Sequence, residues 1–161
     1  MTHRISVQAE DFDIAQLTPE LHIAGETGAK AIFIGSVRDF RSDSEKDERE
    51  PAQFYLEHYP GMCENILTDI VAKAEQRWRL QRCIVVHRVG ELGIDDQIVF
   101  VGVSSAHRAE AFAACEFIID LLKTQAPFWK RENGQWLGAR RTDETRAEAW
   151  LAPARTCDTP V

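Results

Sequence analysis

The 161-residue chain contains 44% hydrophobic and 28% charged residues, a composition typical of one globular domain with a substantial core. Its formal net charge of −7 argues against a general nucleic-acid-binding protein, because that affinity depends on neutralising many phosphates. No apolar run approaches a membrane span, no apolar signal core follows Met1, and the four cysteines lack the spacing of a zinc or redox motif. We therefore expect a cytoplasmic protein in which any basic cluster forms a local positive site.

Hydrophobic periodicity predicts the first half of the fold. The predicted elements are strands over residues 4–9, 29–37 and 53–59 and helices over residues 13–24 and 62–79. Strand 29–37 is mostly apolar, so we expect it to be buried on both faces. Residues 41–51 are almost all charged or small, which predicts a flexible flap.

The second half continues the alternation of strands and helices. Strands over 82–89 and 97–104 are joined by a hairpin-length connection, which predicts antiparallel neighbours. The remaining predicted elements are a helix capped by Ser105 and ending at Gln125, a short strand around Trp136, a helix over 142–151 and a loose tail over 152–161. Without a glycine-rich phosphate loop, this order favours an α+β sandwich over a doubly wound nucleotide-binding fold.

Two lysines bracket a break in the long helix. Pro127 ends the helix, so Lys123 is expected on its last turns and Lys130 on the element that follows. The two amines can therefore converge from different elements, where partial desolvation beside Leu122 and Trp129 would favour a base or a nucleophile. The alternative is that both lysines only cap the helix end and extend to solvent.

The long helix carries further charges on its apolar side. At 100° per residue, Arg108 and Lys123 project within the stripe predicted to face inward. That stripe consists of Ala111, Phe112, Cys115, Ile118, Ile119 and Leu122. Arg108 and Lys123 are about 22 Å apart along a helix, too far for one small ligand within one chain. Either there are two sites, or a second copy brings His107 and Arg108 to Lys123 and Lys130, and we favour this dimer.

Other polar residues give weaker signals. Arg38 follows an apolar strand, and its guanidinium suits a phosphate, although an isolated surface arginine is the simpler reading. The pairs Glu57–His58 and His87–Arg88 lack a matching cluster of ligands, so we assign them to structure and predict no metal site. The sequence contains no serine nucleophile elbow and no cysteine with a plausible histidine partner.

Five segments together resemble the MoaE family, the large catalytic subunits of molybdopterin synthase. They occur in the family's order, within a resemblance that runs from about Ile5 to Trp150. The segments are FIGSVR at 33–38, LEHYPGM at 56–62, HRVGEL at 87–92, VGVSSAHR at 101–108 and LKTQAPFWKRE at 122–132. The resemblance implies one domain over residues 1–151, with a mainly antiparallel sheet of the alpha/beta-hammerhead type and helices packed on it.

The resemblance also implies a function and its partners. The family transfers sulfur from the C-terminal Gly-Gly thiocarboxylate of a small ubiquitin-like carrier of the MoaD type to cyclic pyranopterin monophosphate, forming the molybdopterin dithiolene. A homodimer at the core of a heterotetramer, with no metal or organic cofactor, is implied. The implied substrate-binding residues are Ser36, Val37, Arg38, His107, Arg108, Lys123, Lys130, Arg131 and Glu132.

Lys123 and Lys130 are implied as the catalytic pair, stabilising the thiocarboxylate and the tetrahedral species formed on its cleavage, with one acting as acid or base. The carrier tail is expected in a groove beside Phe128 and Trp129, through strand addition. The charged flap and the short segment 132–136 depart from the family pattern. Two alternatives stay open: a non-catalytic dimeric scaffold that binds the carrier tail, and a Schiff-base lysine enzyme acting on phosphorylated carbonyl compounds.

Overall fold

A computed structural model describes residues 3–39, 54–137 and 141–151 of the chain. The predicted flap at 41–51 and tail at 152–161 lie outside these ranges. In chain order, the elements are β1 Arg4–Gln8, α1 Ile14–Glu20, β2 Ala29–Ser36, β3 Phe54–His58, α2 Met62–Arg77, β4 Leu80–Arg88, β5 Gly90–Leu92, β6 Gln97–Ser105, α3 Arg108–Gln125, β7 Phe128–Glu132, β8 Gln135–Leu137 and α4 Arg141–Leu151.

The larger sheet has the strand order β1-β4-β6-β2. β4 and β6 pair antiparallel as predicted, β2 pairs antiparallel with β6, and β1 joins β4 in parallel. Helices α2 and α3 cover one face and form the main core, in which Leu67, Phe117 and Val101 are inaccessible to solvent. On the other face, α1 packs a smaller cluster around Phe100 and Leu21. Asp13 caps α1 by accepting a hydrogen bond from the Ala15 backbone.

The smaller sheet has the strand order β5-β3-β7-β8 and is antiparallel throughout. Its strand β5 lies in the connection that the sequence predicted as a hairpin loop. Gly90, at φ 88°, redirects the chain between β4 and β5, which lets neighbouring residues pair in different sheets. Val37, Phe54, Leu56 and Leu92 form a small core beneath this sheet.

The predicted α+β class is confirmed, with the antiparallel pairing divided between two sheets. The expectation that the strand at 29–37 is buried on both faces is wrong. Within the described residues, β2 pairs with β6 alone and is an edge strand whose alternate residues Lys30, Ile32, Ile34 and Ser36 are exposed. The helix α1 covers the central strands on that face and leaves the flank of β2 uncovered.

Helix α3 connects the two halves of the molecule. It packs on β6 and β2 of the larger sheet, on α2 and on α4, and ends where β7 enters the smaller sheet. None of the helices in the described part of the chain has the length and apolar character needed to cross a bilayer.

Candidate active site

Lys123 lies in the last turn of α3, next to the buried Leu122. The helix ends at Gln125, and the backbone N–H of the C-cap residue Ala126 donates to the Leu122 carbonyl at 3.2 Å before the chain turns through Pro127. The ammonium of Lys123 is 3.8 Å from a carboxylate oxygen of Asp143 on α4, and its side chain is 48% exposed. The predicted position at the helix end is confirmed, and the amine is accessible to solvent.

Lys130 lies at the centre of β7, on the side of the smaller sheet that faces its core. Its ammonium is 5.3 Å from the centre of the Phe54 ring and forms an ion pair with Glu132 two residues along the strand. The aromatic ring and the carboxylate together fix the position of the ammonium group. Lys130 is therefore held more firmly than Lys123.

Arg131 lies on the opposite face of β7, as strand alternation requires. Its guanidinium lies 4.9 Å from the centre of the Tyr55 ring on β3 and 5.3 Å from that of Trp136 on β8. Trp129 and Trp136 are about half exposed. Lys130 and Glu132 thus share one face, while Arg131 belongs to an aromatic surface on the other.

The segment Ser36-Val37-Arg38 leaves the end of β2 towards the smaller sheet. Val37 is buried against Phe54, and its backbone pairs with Asp95 and Asp96 at 2.8 and 2.9 Å. Ser36 and Arg38, on either side of it, are exposed. Since Lys130 lies over the same Phe54 ring, the strand end that carries Arg38 and the strand that carries Lys130 share a neighbour.

His107 and Arg108 begin α3 and are exposed. His107 is the N-cap residue in place of the predicted Ser105. The Ser105 hydroxyl contacts Glu110, donates to the Arg79 carbonyl and accepts from the His107 backbone N–H at 3.4 Å. Arg108 and Lys123 lie at opposite ends of an 18-residue helix, about 27 Å long at 1.5 Å per residue. One chain therefore does not bring these residues together.

The inward orientation predicted for Arg108, Phe112 and Lys123 is wrong, since Phe112 is 65% exposed and both cations are exposed. Ile119, at 7% exposure, marks the edge of the buried side. At 100° per residue, Phe112 and Lys123 lie roughly 20° and 40° beyond Ile119, and Arg108 precedes the buried turns. The other predicted inward residues, Ala111, Cys115, Ile118, Ile119 and Leu122, are buried.

His87, which sequence reasoning assigned to structure, and Cys63 both contact the segment between Lys123 and Lys130. The ring of His87 stacks on Phe128 with centroids 3.9 Å apart and planes 8° apart, and its Nδ1 donates to the Arg88 carbonyl at 2.8 Å. Burial lowers the pKa of His87 to about 4, so the ring is neutral at pH 7. The Cys63 thiol donates to the Pro127 carbonyl at 3.5 Å. The described ranges hold no group of three or more His, Cys, Asp or Glu side chains placed to bind an ion.

Comparison with known proteins identifies the family. The family model "MoaE protein" matches residues 7–125. The chain belongs to the MoaE family. It is 48% identical over 154 residues to the molybdopterin synthase catalytic subunit of Vibrio cholerae, covering 93% of this chain and 99% of the relative. With the corresponding subunit of Ralstonia nicotianae it shares 50% identity over 151 residues, covering 91% and 83% of the two chains.

Solved structures of MoaE proteins have the same fold. The protein from Burkholderia ambifaria is 42% identical with a TM-score of 0.77, covering 93% of this chain and 99% of that one. The molybdopterin synthase structure from Staphylococcus aureus is 29% identical with a TM-score of 0.72, covering 82% and 95%. The predicted resemblance to the catalytic subunit of molybdopterin synthase is confirmed, and with it the enzyme class, a sulfurtransferase of molybdenum-cofactor biosynthesis.

Two contacts of the candidate lysines were missed by sequence reasoning. Asp143 was read only as part of the last helix, and Phe54 only as a strand residue, yet each contacts one of the two lysines. The opposite charges of Lys123 and Asp143 were visible in the sequence. Their contact depends on how α4 docks on α3, which no local pattern indicates.

Proposed function

We propose that this MoaE-family chain makes the molybdopterin dithiolene, using the cations at the ends of α3 and on β7. The thiocarboxylate sulfur of a small ubiquitin-like carrier of the MoaD type would form a C–S bond to cyclic pyranopterin monophosphate, while a C–O bond at the same carbon breaks and its oxygen leaves as water or remains on the phosphate. Water would then cleave the bond between carrier and sulfur, returning a carboxylate. Two successive carriers would supply the two sulfurs.

The observation that carries this proposal is the pair of lysines on either side of Pro127. Lys123 and Lys130 belong to different elements, both retain some exposure, and each has a carboxylate neighbour on an acidic chain. Ammonium groups placed this way suit an anionic thiocarboxylate and the oxyanion of a tetrahedral species. Lys123 and Lys130 are therefore our proposed catalytic residues.

Substrate binding is proposed for the remaining cations and their neighbours. Arg38, His107 and Arg108 would hold the phosphate and the pterin oxygens through charge-assisted hydrogen bonds. Ser36, Val37, Arg131 and Glu132 complete the proposed set. Arg131 would act from the aromatic face of the smaller sheet, beside Trp129, which is also where we propose that the carrier tail docks.

We propose that a second copy of the chain completes each site, because His107 and Arg108 lie a helix length from Lys123 in one chain. On the edge strand β2, Ile32 and Ile34 expose apolar side chains on the face of the larger sheet opposite α3. Such a surface suits a symmetric contact between copies. With one carrier per copy, the assembly would be a heterotetramer, and its location in the cytoplasm stays a prediction.

Mixing variants tests the shared site. If each site combines Lys123 of one copy with Arg108 of the other, mixing the inactive Lys123→Ala and Arg108→Ala chains restores activity to about a quarter of the wild-type value, since half the dimers are mixed and each has one intact site. No recovery after subunit exchange, demonstrated by a tagged chain, would contradict the shared site.

The activity test combines the purified chain, a thiocarboxylated carrier and the pyranopterin, with mass spectrometry of the dithiolene. We expect Lys123→Ala to lower product formation by about 100-fold or more, as for loss of a transition-state contact. Carrier binding, measured by calorimetry, should persist. Lys73→Ala, at an exposed position on α2, is the matched control.

The alternatives give different results in the same experiment. A scaffold would bind the carrier but give no product with any chain, wild type included. A Schiff-base enzyme would leave a covalent mass adduct on a lysine after borohydride treatment with substrate. Either result would overturn the proposed sulfur transfer.

A further inference from the structure

Helices α3 and α4 are joined by hydrogen bonds and ion pairs between their side chains. Asp120 of α3 accepts hydrogen bonds from the Arg146 Nε and the Trp150 Nε1, each at 2.9 Å. One turn earlier on α3, Glu116 accepts a second bond from Arg146 at 2.5 Å. Phe117 of α3 packs against Trp150 near the end of α4, whereas Lys123 of α3 meets Asp143 near its start, so the two helices are antiparallel.

A further contact between α3 and α4 involves the candidate catalytic amine of Lys123. Lys123 lies three residues after Asp120, and Asp143 lies three residues before Arg146, so both are on the contacting sides of their helices. Their charged atoms are 3.8 Å apart. In the Asp120–Arg146 pair α3 supplies the acidic residue, whereas in the Lys123–Asp143 pair α3 supplies the basic residue.

We propose that Asp143 is a positioning residue that holds the ammonium of Lys123 in its working direction, an inference that rests on the proposed function. The Asp143 side chain is 24% exposed and that of Lys123 is 48% exposed, so the carboxylate is the more enclosed partner. A separation of 3.8 Å is an ion pair without a short hydrogen bond. The carboxylate therefore orients the amine while leaving its N–H groups available to an incoming anion.

The contrast with Lys130 supports this assignment. Lys130 is held by Glu132 of its own strand and by the Phe54 ring, so its position depends on the smaller sheet. The position of Lys123 depends on the Asp143 carboxylate of α4. Asp120 holds α4 against α3 through its hydrogen bonds with Arg146 and Trp150. The packing of α4 on α3 therefore determines the position of Lys123 in the candidate site.

The test compares three changes in the first turn of α4, using the full chain with carrier and pyranopterin. Asp143→Asn removes the charge facing Lys123. We expect kcat to fall by about 10-fold, with KM for the carrier within about 2-fold, because a misdirected amine weakens the transition state more than binding. Asp143→Glu should restore kcat to within about 3-fold of wild type.

Glu144→Gln is the matched control, because it removes a charge from the same exposed helix turn without facing Lys123. It should leave kcat unchanged. An equal loss in Glu144→Gln, an unchanged kcat in Asp143→Asn, or no recovery in Asp143→Glu would overturn the positioning role. If amide exchange shows that Asp143→Asn releases residues 141–151, Asp143→Ser replaces it under the same criteria. A wild-type chain that forms no dithiolene would instead refute the proposed function.

Discussion

The carbonyl oxygen of Ala106 occupies the space that a β-carbon on Gly28 would require. The Gly28 backbone N–H also donates to the Ser105 carbonyl at 3.1 Å, so this contact fixes the chain just before His107. Gly28 immediately precedes β2, and Ala106 lies just before α3. Their close approach therefore fixes the positions of His107 and Arg108 at the start of α3.

Gly28→Ala is expected to destabilise the fold and displace the start of α3. A backbone atom cannot move aside as a flexible side chain can, so we expect a loss of about 1–3 kcal/mol in the free energy of unfolding. Urea denaturation measures this loss. Gly93→Ala is the control, since its β-carbon would meet Asp96 at an ordinary 3.6 Å. Equal stability of the two variants would contradict the proposed close approach.

Because His87 is buried, we expect the free energy of unfolding to decrease as the pH falls. Its pKa is about 4 in the folded protein and near 6.5 in the unfolded chain, so the unfolded state binds the proton first as the pH falls. Stability from the neutral ring is complete above pH 6.5 and is lost as the pH falls from 6.5 towards 4, at up to about 1.4 kcal/mol per pH unit.

Denaturation of His87→Phe between pH 4 and pH 7 checks this prediction. The variant keeps an aromatic ring against Phe128 but has no proton to bind, so its stability should depend less steeply on pH. His22→Gln changes an exposed histidine and should retain the wild-type slope. An unchanged slope in His87→Phe would exclude His87 as the source.

The elements of this fold that follow from sequence are those with a long, regular pattern. The strands β4 and β6 and the helix α3 carry enough apolar residues for the period and the antiparallel pairing to be predicted. Strand β5 was missed because three residues cannot show a period, and because its partner β3 lies more than thirty residues away in the chain.

The elements that carry the two candidate lysines were predictable from the sequence, but the arrangement of the candidate site was not. The break at Pro127 indicates that Lys123 and Lys130 belong to different elements, which the structure confirms. The outward direction of Lys123 depends on where burial ends around α3, and its contact with Asp143 depends on α4. Such information comes from the packing between elements, which helical projection does not contain.

We expect the carboxylate of Asp120 to stabilise the packing of α4 on α3, because it accepts hydrogen bonds from Arg146 and Trp150. It is 6% exposed, so removing it leaves the indole N–H of Trp150 without its acceptor in a partly buried position. We expect Asp120→Ala to lower the free energy of unfolding by about 1.5–3 kcal/mol, the range for a hydrogen bond to a charged group. Faster amide exchange over residues 141–151 should accompany this loss.

Glu148→Gln, at an exposed position on α4, provides the comparison for Asp120→Ala. It should change neither stability nor exchange. Wild-type exchange rates over α4 in the Asp120→Ala chain would show that the aromatic contacts of Trp150 with Trp78 and Phe117 suffice to hold the helix.

The burial of the three described cysteines predicts that none of these three thiols carries the transferred sulfur. Cys63, Cys83 and Cys115 are buried, and burial raises the pKa of each, to about 11 for Cys115. At pH 8 only about one Cys115 thiol in a thousand would be ionised, and the thiolate is the reactive form. We expect these residues of the native chain to resist iodoacetamide, and sulfuration activity to survive the treatment.

Peptide mass spectrometry after timed alkylation measures this resistance in a Cys157→Ser chain, which removes the cysteine outside the described residues. The same chain in 6 M guanidinium should be alkylated at all three positions. Rapid native labelling of Cys63, which lies beside the Pro127 corner, together with loss of activity would mean that a thiol takes part in the transfer.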